Sequence, residues 1–267
     1  MASDSEGIIR LAVFVGVFLL LAAAERVWPY RPAFTRGARW VSNIGLSLFN
    51  TLAVRLITIV LPLLPVAIAA QFGGGGVSAM FGLSPLAAGV AGFLLLDLAV
   101  YMQHVVFHHV PWFWRLHRVH HADMQFDVTT AIRFHPVEIL LSLVWKAAVI
   151  IVFGIPALAV LVFEVVLNAS AMFSHANVRL PSSIDRLLRA IVVTPCMHRV
   201  HHSVVPREIN TNFGFNLSVW DRLFGTYLQD AQQDAREMPF GLPSYQRPET
   251  SSLPWLLLFP FLRGKVL

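Results

Sequence analysis

Cysteine is almost absent: Cys196 stands alone in 267 residues. One thiol cannot make an internal disulfide, a four-cysteine iron–sulfur site or a thiolate zinc finger. Lysine is nearly as scarce, with only Lys146 and Lys265, so the formal net charge of +5 is carried by arginine. Charge of either sign is short, at 13% of residues against about 25% in an ordinary soluble domain. The start of the chain lacks a basic stretch. It carries Asp4 and Glu6, and Ala22-Ala23-Ala24 runs straight into more apolar and basic sequence, so it does not read as a signal peptide. Domain-scale repeats are missing, and Gly73 to Gly76 is the sole low-complexity stretch.

Apolar residues fill the space, at 56% of the chain with a mean hydropathy of +0.64. A membrane-crossing helix needs about 20 mostly apolar residues. Ile8 to Ala24, Leu46 to Ala70 and Leu86 to Phe107 are three candidates. Val137 to Phe173 is long enough for a double crossing or a shallow hairpin broken at Gly154-Ile155-Pro156. The expected fold is all-α and membrane-integral, with about four to five transmembrane or hairpin helices. Three regions follow: 1–84 with N-terminal membrane helices, 85–230 as the catalytic region, and 231–267 as a polar tail. That tail ends in a short apolar segment, Leu253 to Leu262.

Charge orients the spans. Arg26, Arg31, Arg36 and Arg39 crowd the loop after the first span, which should face the cytoplasm. The connector at Gly73 to Gly76 and the turn at Gly154 carry no charge and belong outside or within the membrane. Counting crossings puts the N-terminus outside and a helical cap after Phe107 on the cytoplasmic side, with Ile184 to Val193 as an interfacial helix. Arginines placed between apolar runs also argue against a nucleic-acid partner.

Eleven histidines cluster at that cytoplasmic end. His104 and His108 stand at i and i+4 on one helix face. His117-Arg118-Val119-His120-His121 follows, and the same five letters recur as His198-Arg199-Val200-His201-His202. Imidazoles at helical spacing present nitrogen ligands to a transition metal. Eight are too many for one ion and suit two metals sharing a site; iron, zinc and manganese all satisfy the spacing. His135 precedes one span and His175 follows the next, so both return to the same depth. His109 reads as an interfacial residue. Asp123, Asp127, Glu138 and Asn177 are the nearest groups that could orient imidazole N–H bonds, and Asp97 and Glu164 are carboxylates within spans.

The three motifs, in this order and membrane context, resemble the fatty acid hydroxylase superfamily, also called the sterol desaturase family. The resemblance covers roughly Leu95 to Tyr227, including Asn210 to Asn216 and Trp220 to Thr226, which are similar to that family's C-terminal signature. It implies a cytoplasmic cap holding two iron ions and oxygen-dependent hydroxylation or desaturation of a lipid C–H bond, with dioxygen as co-substrate. It implies His175 and His135 as further ligands beside the eight. Where some members carry another histidine four residues before His175, this chain has Ala171. Electrons would come from a separate ferredoxin- or cytochrome b5-like donor with its reductase. The competing reading is a non-redox metal protein such as a zinc-dependent lipid hydrolase, though no H-E-x-x-H motif is present.

Overall fold

Proline sets many of the helix starts. The computed structural model describes residues 2–32, 37–60 and 64–262, so Arg36 and Lys265 lie outside the described residues. Thirteen α-helices are described: α1 (Ala2–Val27), α2 (Gly37–Val60), α3 (Pro65–Phe72), α4 (Gly76–Met80), α5 (Pro85–His109), α6 (Pro111–His121), α7 (Pro136–Phe153), α8 (Ala157–His175), α9 (Ser182–Leu188), α10 (Pro195–His201), α11 (Pro206–Ile209), α12 (Val219–Leu223) and α13 (Leu253–Leu258). Pro65, Pro85, Pro111, Pro136, Pro195 and Pro206 each stand at the first helical position, where a missing N–H costs nothing and φ is preset.

Among the described residues, five helices (α1, α2, α5, α7 and α8) are long and apolar enough to cross a membrane. The chain is an integral membrane protein, all-helical as its composition predicts. The second span differs from expectation. It begins at Gly37, earlier than Leu46, and ends at Val60 instead of running on to Ala70. The early start is possible because Arg39 is paired with Asp123 and Asp127, so a charge inside the helix is neutralised. Leu64, preceding Pro65, is extended, and the chain restarts as the short α3.

The stretch from 137 to 173 resolves into α7 and α8. Gly154 closes α7 in the left-handed region, φ 64°, where a side chain would be strained. The glycine connector packs onto that turn: Gly74 N donates to Gly154 O at 2.8 Å. A Cβ on Gly76 would stand 2.3 Å from Val152 O. The two uncharged turns therefore share one end of the bundle, and the histidines share the other.

Between them lies an apolar core of Val66, Leu96, Val100, Ile150, Val160 and Phe163. Within the spans, Glu164 on α8 pairs with Lys146 on α7 (3.1 Å) and Arg10 on α1 (2.8 Å). The tail segment α13 packs on the body, with Leu256 and Phe259 against Leu46, Trp114 and Val119.

Candidate metal centre

Nine imidazoles, eight of them buried and His108 half-buried, meet where α5, α6, α8 and α10 converge. They form two groups, His104, His108, His117, His121 and His201 in one, and His120, His175, His198 and His202 in the other. Within each group, one candidate ligand atom per residue lies within 4.8 Å of all the rest. Each copy of the repeated pentapeptide serves both groups. His117 and His121, at i and i+4, turn to the first, while His120 between them turns to the second. From α10, His198 and His202 turn to the second and His201 to the first.

Hydrogen bonds fix several tautomers. His104 Nδ1–H donates to Phe213 O (2.8 Å), His201 Nδ1–H to Thr211 O (2.7 Å) and His175 Nδ1–H to Ala171 O (2.7 Å). A carbonyl only accepts, so each of these rings has a bare lone pair at Nε2. His117 Nδ1–H faces Glu138 Oε1 at 2.6 Å, which frees its Nε2 likewise.

Other imidazole nitrogens crowd against these bare ones. His117 Nε2 lies 3.1 Å from His104 Nε2 and 3.2 Å from His121 Nε2. His175 Nε2 lies 3.1 Å from both His120 Nε2 and His198 Nε2. In the His104–His117 pair both Nε2 atoms are bare, and two lone pairs facing each other at that distance repel unless a cation stands between them. Nitrogens about 2.1 Å from one ion, at angles of 90–110°, stand about 3.0–3.4 Å apart. His108, His201 and His202 each have a buried Nε2 with no protein partner, a loss of about 1–3 kcal/mol apiece if nothing binds them. The residues fit a metal ion in each group.

Protonation agrees. Burial, reinforced for most by neighbouring imidazoles, holds His120, His121, His198, His201 and His202 well below the ordinary histidine value. Burial alone takes His117 down to about 3. All six are neutral at pH 7, the form that binds metal. The His117–Glu138 contact is therefore a hydrogen bond to a neutral ring.

His135 is not brought into either group. It sits at the N-cap of α7 in extended backbone, where Nδ1 accepts from Val137 N (3.3 Å) and Nε2–H donates to Leu257 O (3.2 Å). Both ring nitrogens are thereby used. His109 is exposed, its Nδ1–H on Val105 O. Of the four groups expected to orient imidazoles, Glu138 alone contacts one. Asp123 and Asp127 instead receive Arg39, through Nε to Asp123 Oδ1 (2.7 Å) and Nη1 to Asp127 Oδ2 (2.6 Å). Burial pushes the Asp123 carboxyl up, but Arg39 and Arg133 outweigh it and hold it at about 2. Asn177 brackets Arg31, accepting from its N and donating to its O.

The sequence did not point to the carbonyls of Phe213 and Thr211 or to Phe134, whose ring stacks on His120 at 4.5 Å. The signature around Asn210 to Asn216 was the available signal for the first two. The arginines of the repeated motif are buried, point away from the imidazole groups and play matching parts. Arg118 donates to Phe259 O and Leu262 O and lies 4.2 Å over the Phe259 ring. Arg199 donates to Ala176 O and Val178 O and lies 4.0 Å over Tyr30.

Fold and site together define a membrane-embedded helical protein with a paired polyhistidine centre. The chain belongs to the fatty acid hydroxylase family, whose profile matches residues 89–226. It is 33% identical over 138 residues to ornithine lipid hydroxylase OlsE of Rhizobium tropici, covering 52% of this chain and 41% of the relative. Alkylglycerol monooxygenase of Xenopus tropicalis is 30% identical, over 53% of this chain and 30% of that protein. Cholesterol 25-hydroxylase of Homo sapiens is 30% identical, over 54% and 52% respectively. The matches thus span about a third to a half of the length of these relatives. No solved structure matches the chain.

Proposed function

We propose that this protein is an oxidoreductase that hydroxylates or desaturates a lipid C–H bond with dioxygen. The observation that carries the reading is the convergence of nine imidazoles, in groups of five and four, at one end of a membrane bundle. His104, His108, His117, His121 and His201 would hold one iron ion, and His120, His175, His198 and His202 the other. When bound, such a pair supplies reduction of dioxygen and oxidation of an unactivated C–H bond.

The chain's own residues set the conditions. Phe213, Thr211, Ala171 and Glu138 hold imidazole rings in the tautomer and orientation that turn Nε2 inward. Phe215 packs against the core of the spans and lies 5.0 Å from the His104 ring, so apolar surface reaches the first group directly from the membrane side. That surface keeps water away and suits an alkyl chain or sterol. The relatives' names all concern lipids, which supports a lipid substrate here. The two electrons required come from a separate ferredoxin- or cytochrome b5-like protein. The arginines at the histidine end favour placing it in the cytoplasm, with the N-terminus outside.

The zinc-hydrolase alternative is less well supported. Among the described residues no carboxylate joins either imidazole group, and Glu138, bonded behind His117, is not free to act as a base toward a bound water. The test measures metal and oxygen together. Purified protein should hold about two irons and consume dioxygen in the presence of a lipid panel, a donor and a reductase. Zinc-loaded protein that hydrolyses lipids, or iron-loaded protein inert across the panel, would sink the proposal.

A further inference from the structure

The metal reading leaves the stretch after Asn212 largely without a role, yet its attachment to α5 is specific. It is tied at three heights. Phe213 O takes the N–H of His104, Thr226 Oγ1 meets Tyr101 OH at 2.8 Å, and Asp97 accepts from Asn216 N (3.4 Å), Leu217 N (3.2 Å) and Trp220 Nε1 (2.8 Å). At 1.5 Å per residue, Asp97 is about 10 Å along the helix from His104, toward the middle of the span. Asp97 is the midpoint of α5, about 18 Å from either end. A bilayer core is about 30 Å thick, so a residue 18 Å from the far end of a crossing helix is still inside it. The chain therefore descends from His104 to Asp97, turns through α12 and climbs back to Tyr101.

Irregular backbone survives at that depth only when its polar groups are satisfied internally. Here they are. Asp221 accepts from Phe213 N, Gly214 N and Thr226 Oγ1. Asn212, at φ 54°, donates to Met197 O and Leu228 O and accepts from Leu228 N. Gly214 admits the carboxylate, since a Cβ there would stand 2.8 Å from Asp221 Oδ2. Arg222 folds back onto Ser218 O and Arg189 O.

The outer side is largely apolar and open: Val219, Leu223 and Phe224 are exposed, with Arg222 beside them. Strapped beside them by Val193 N to Asn216 O and Ser218 N to Ile191 O, the α9 segment exposes Ile184, Leu187 and Ile191. Six large apolar side chains exposed on two segments strapped together beside Asp97 call for a partner as apolar as themselves. The exposed Arg186 and Arg222 are long enough to reach back toward the polar headgroups.

We infer that residues 213–226, with the α9 segment, form a re-entrant wedge set into the histidine-side leaflet, its outer face covered by lipid acyl chains. The inference needs no metal and stands apart from the oxidoreductase proposal. It is tested by placing a spin label at Leu223→Cys, Phe224→Cys or Leu187→Cys in a Cys196→Ala background. The full chain goes into vesicles of phosphatidylcholine and phosphatidylglycerol. Relaxation by dioxygen is compared with relaxation by a water-soluble nickel chelate. Val90→Cys on the exposed side of α5 is the lipid control and Gln233→Cys the water control. The oxygen-to-nickel ratio at all three wedge positions should match Val90→Cys and exceed Gln233→Cys severalfold. A ratio equal to that of Gln233→Cys overturns the inference. Shielding from both reagents, with dipolar broadening between labels, overturns it in favour of a second copy of the chain.

Discussion

Glu138 Oε1 lies 2.6 Å from His117 Nδ1, joining the first turn of α7 to the centre of α6. The carboxylate is buried and fixes which nitrogen of His117 faces the imidazole group. A partner of this kind behind a ligand is commonly worth about 10–100-fold in metal affinity. Glu138→Ala is accordingly expected to weaken metal binding by about that factor while the helices stay folded, and Glu138→Gln to recover part of it. Competition with a chelator of known affinity measures the change. Unaltered affinity in Glu138→Ala would remove this residue from the site.

The histidines divide into those with inward nitrogens and those without. His120→Ala removes one of four imidazoles from the second group and should lower the metal-to-protein ratio and abolish oxygen consumption. His109→Ala and His135→Ala should leave the ratio unchanged. His135→Ala should lower thermal stability modestly, because it deletes the cap of α7, worth about 1 kcal/mol. Elemental analysis with a melting curve separates these outcomes, and a loss of metal in His135→Ala would overturn its exclusion.

Acidity should unfold the metal-free protein early. The six histidines of the repeated motif are held neutral by burial, with pKa values below the ordinary 6.5, and for His117 down to about 3. Below pH 6.5 the unfolded chain takes up protons that the folded chain refuses. Stability is then full above pH 6.5 and falls as pH drops toward 3, by about 1.4 kcal/mol per unit for each such histidine. Melting of chelator-treated protein in detergent from pH 8 to pH 5 should show a steep fall beginning near 6.5. A flat profile would contradict the buried, neutral assignment.

Arg39 neutralises two carboxylates at once. Its Nη2 also reaches Thr130 Oγ1 at 2.9 Å, so the guanidinium is used on every side. Arg39→Ala strands Asp123 and Asp127 as buried charges, a loss of about 3–5 kcal/mol. Arg39→Lys should rescue little, since a single ammonium cannot reproduce the forked contacts. Denaturant unfolding in detergent measures both variants, and full rescue by lysine would show that charge alone suffices.

Local pattern announced most of the centre, and distant partners account for what it missed. Eight ligand candidates were readable because i, i+3 and i+4 spacing on a helix fixes a shared direction without knowledge of the rest of the fold. His175 and His135 looked equivalent, each beside a span. They part because His175 ends a helix that runs into the centre, whereas His135 starts one in extended backbone with Leu257 of the tail against it. Asp123 and Asp127 sit just after a histidine motif, and nothing nearby signals that Arg39, more than 80 residues earlier, claims both. The spans were legible from hydropathy, except where Arg39 extends α2 beyond its apolar run and Pro65 forces a new start.

The alternation of one pentapeptide between two imidazole groups has a mechanical consequence. Because α6 and α10 each hold inward nitrogens for both groups, the gap between the groups is set by helical pitch and by the packing of two rigid rods. No loop can stretch or shrink it. One residue inserted between Arg118 and Val119 would turn everything beyond it by about 100°, putting His120 and His121 out of phase with His117. The register of the backbone thus works as the ruler of the centre.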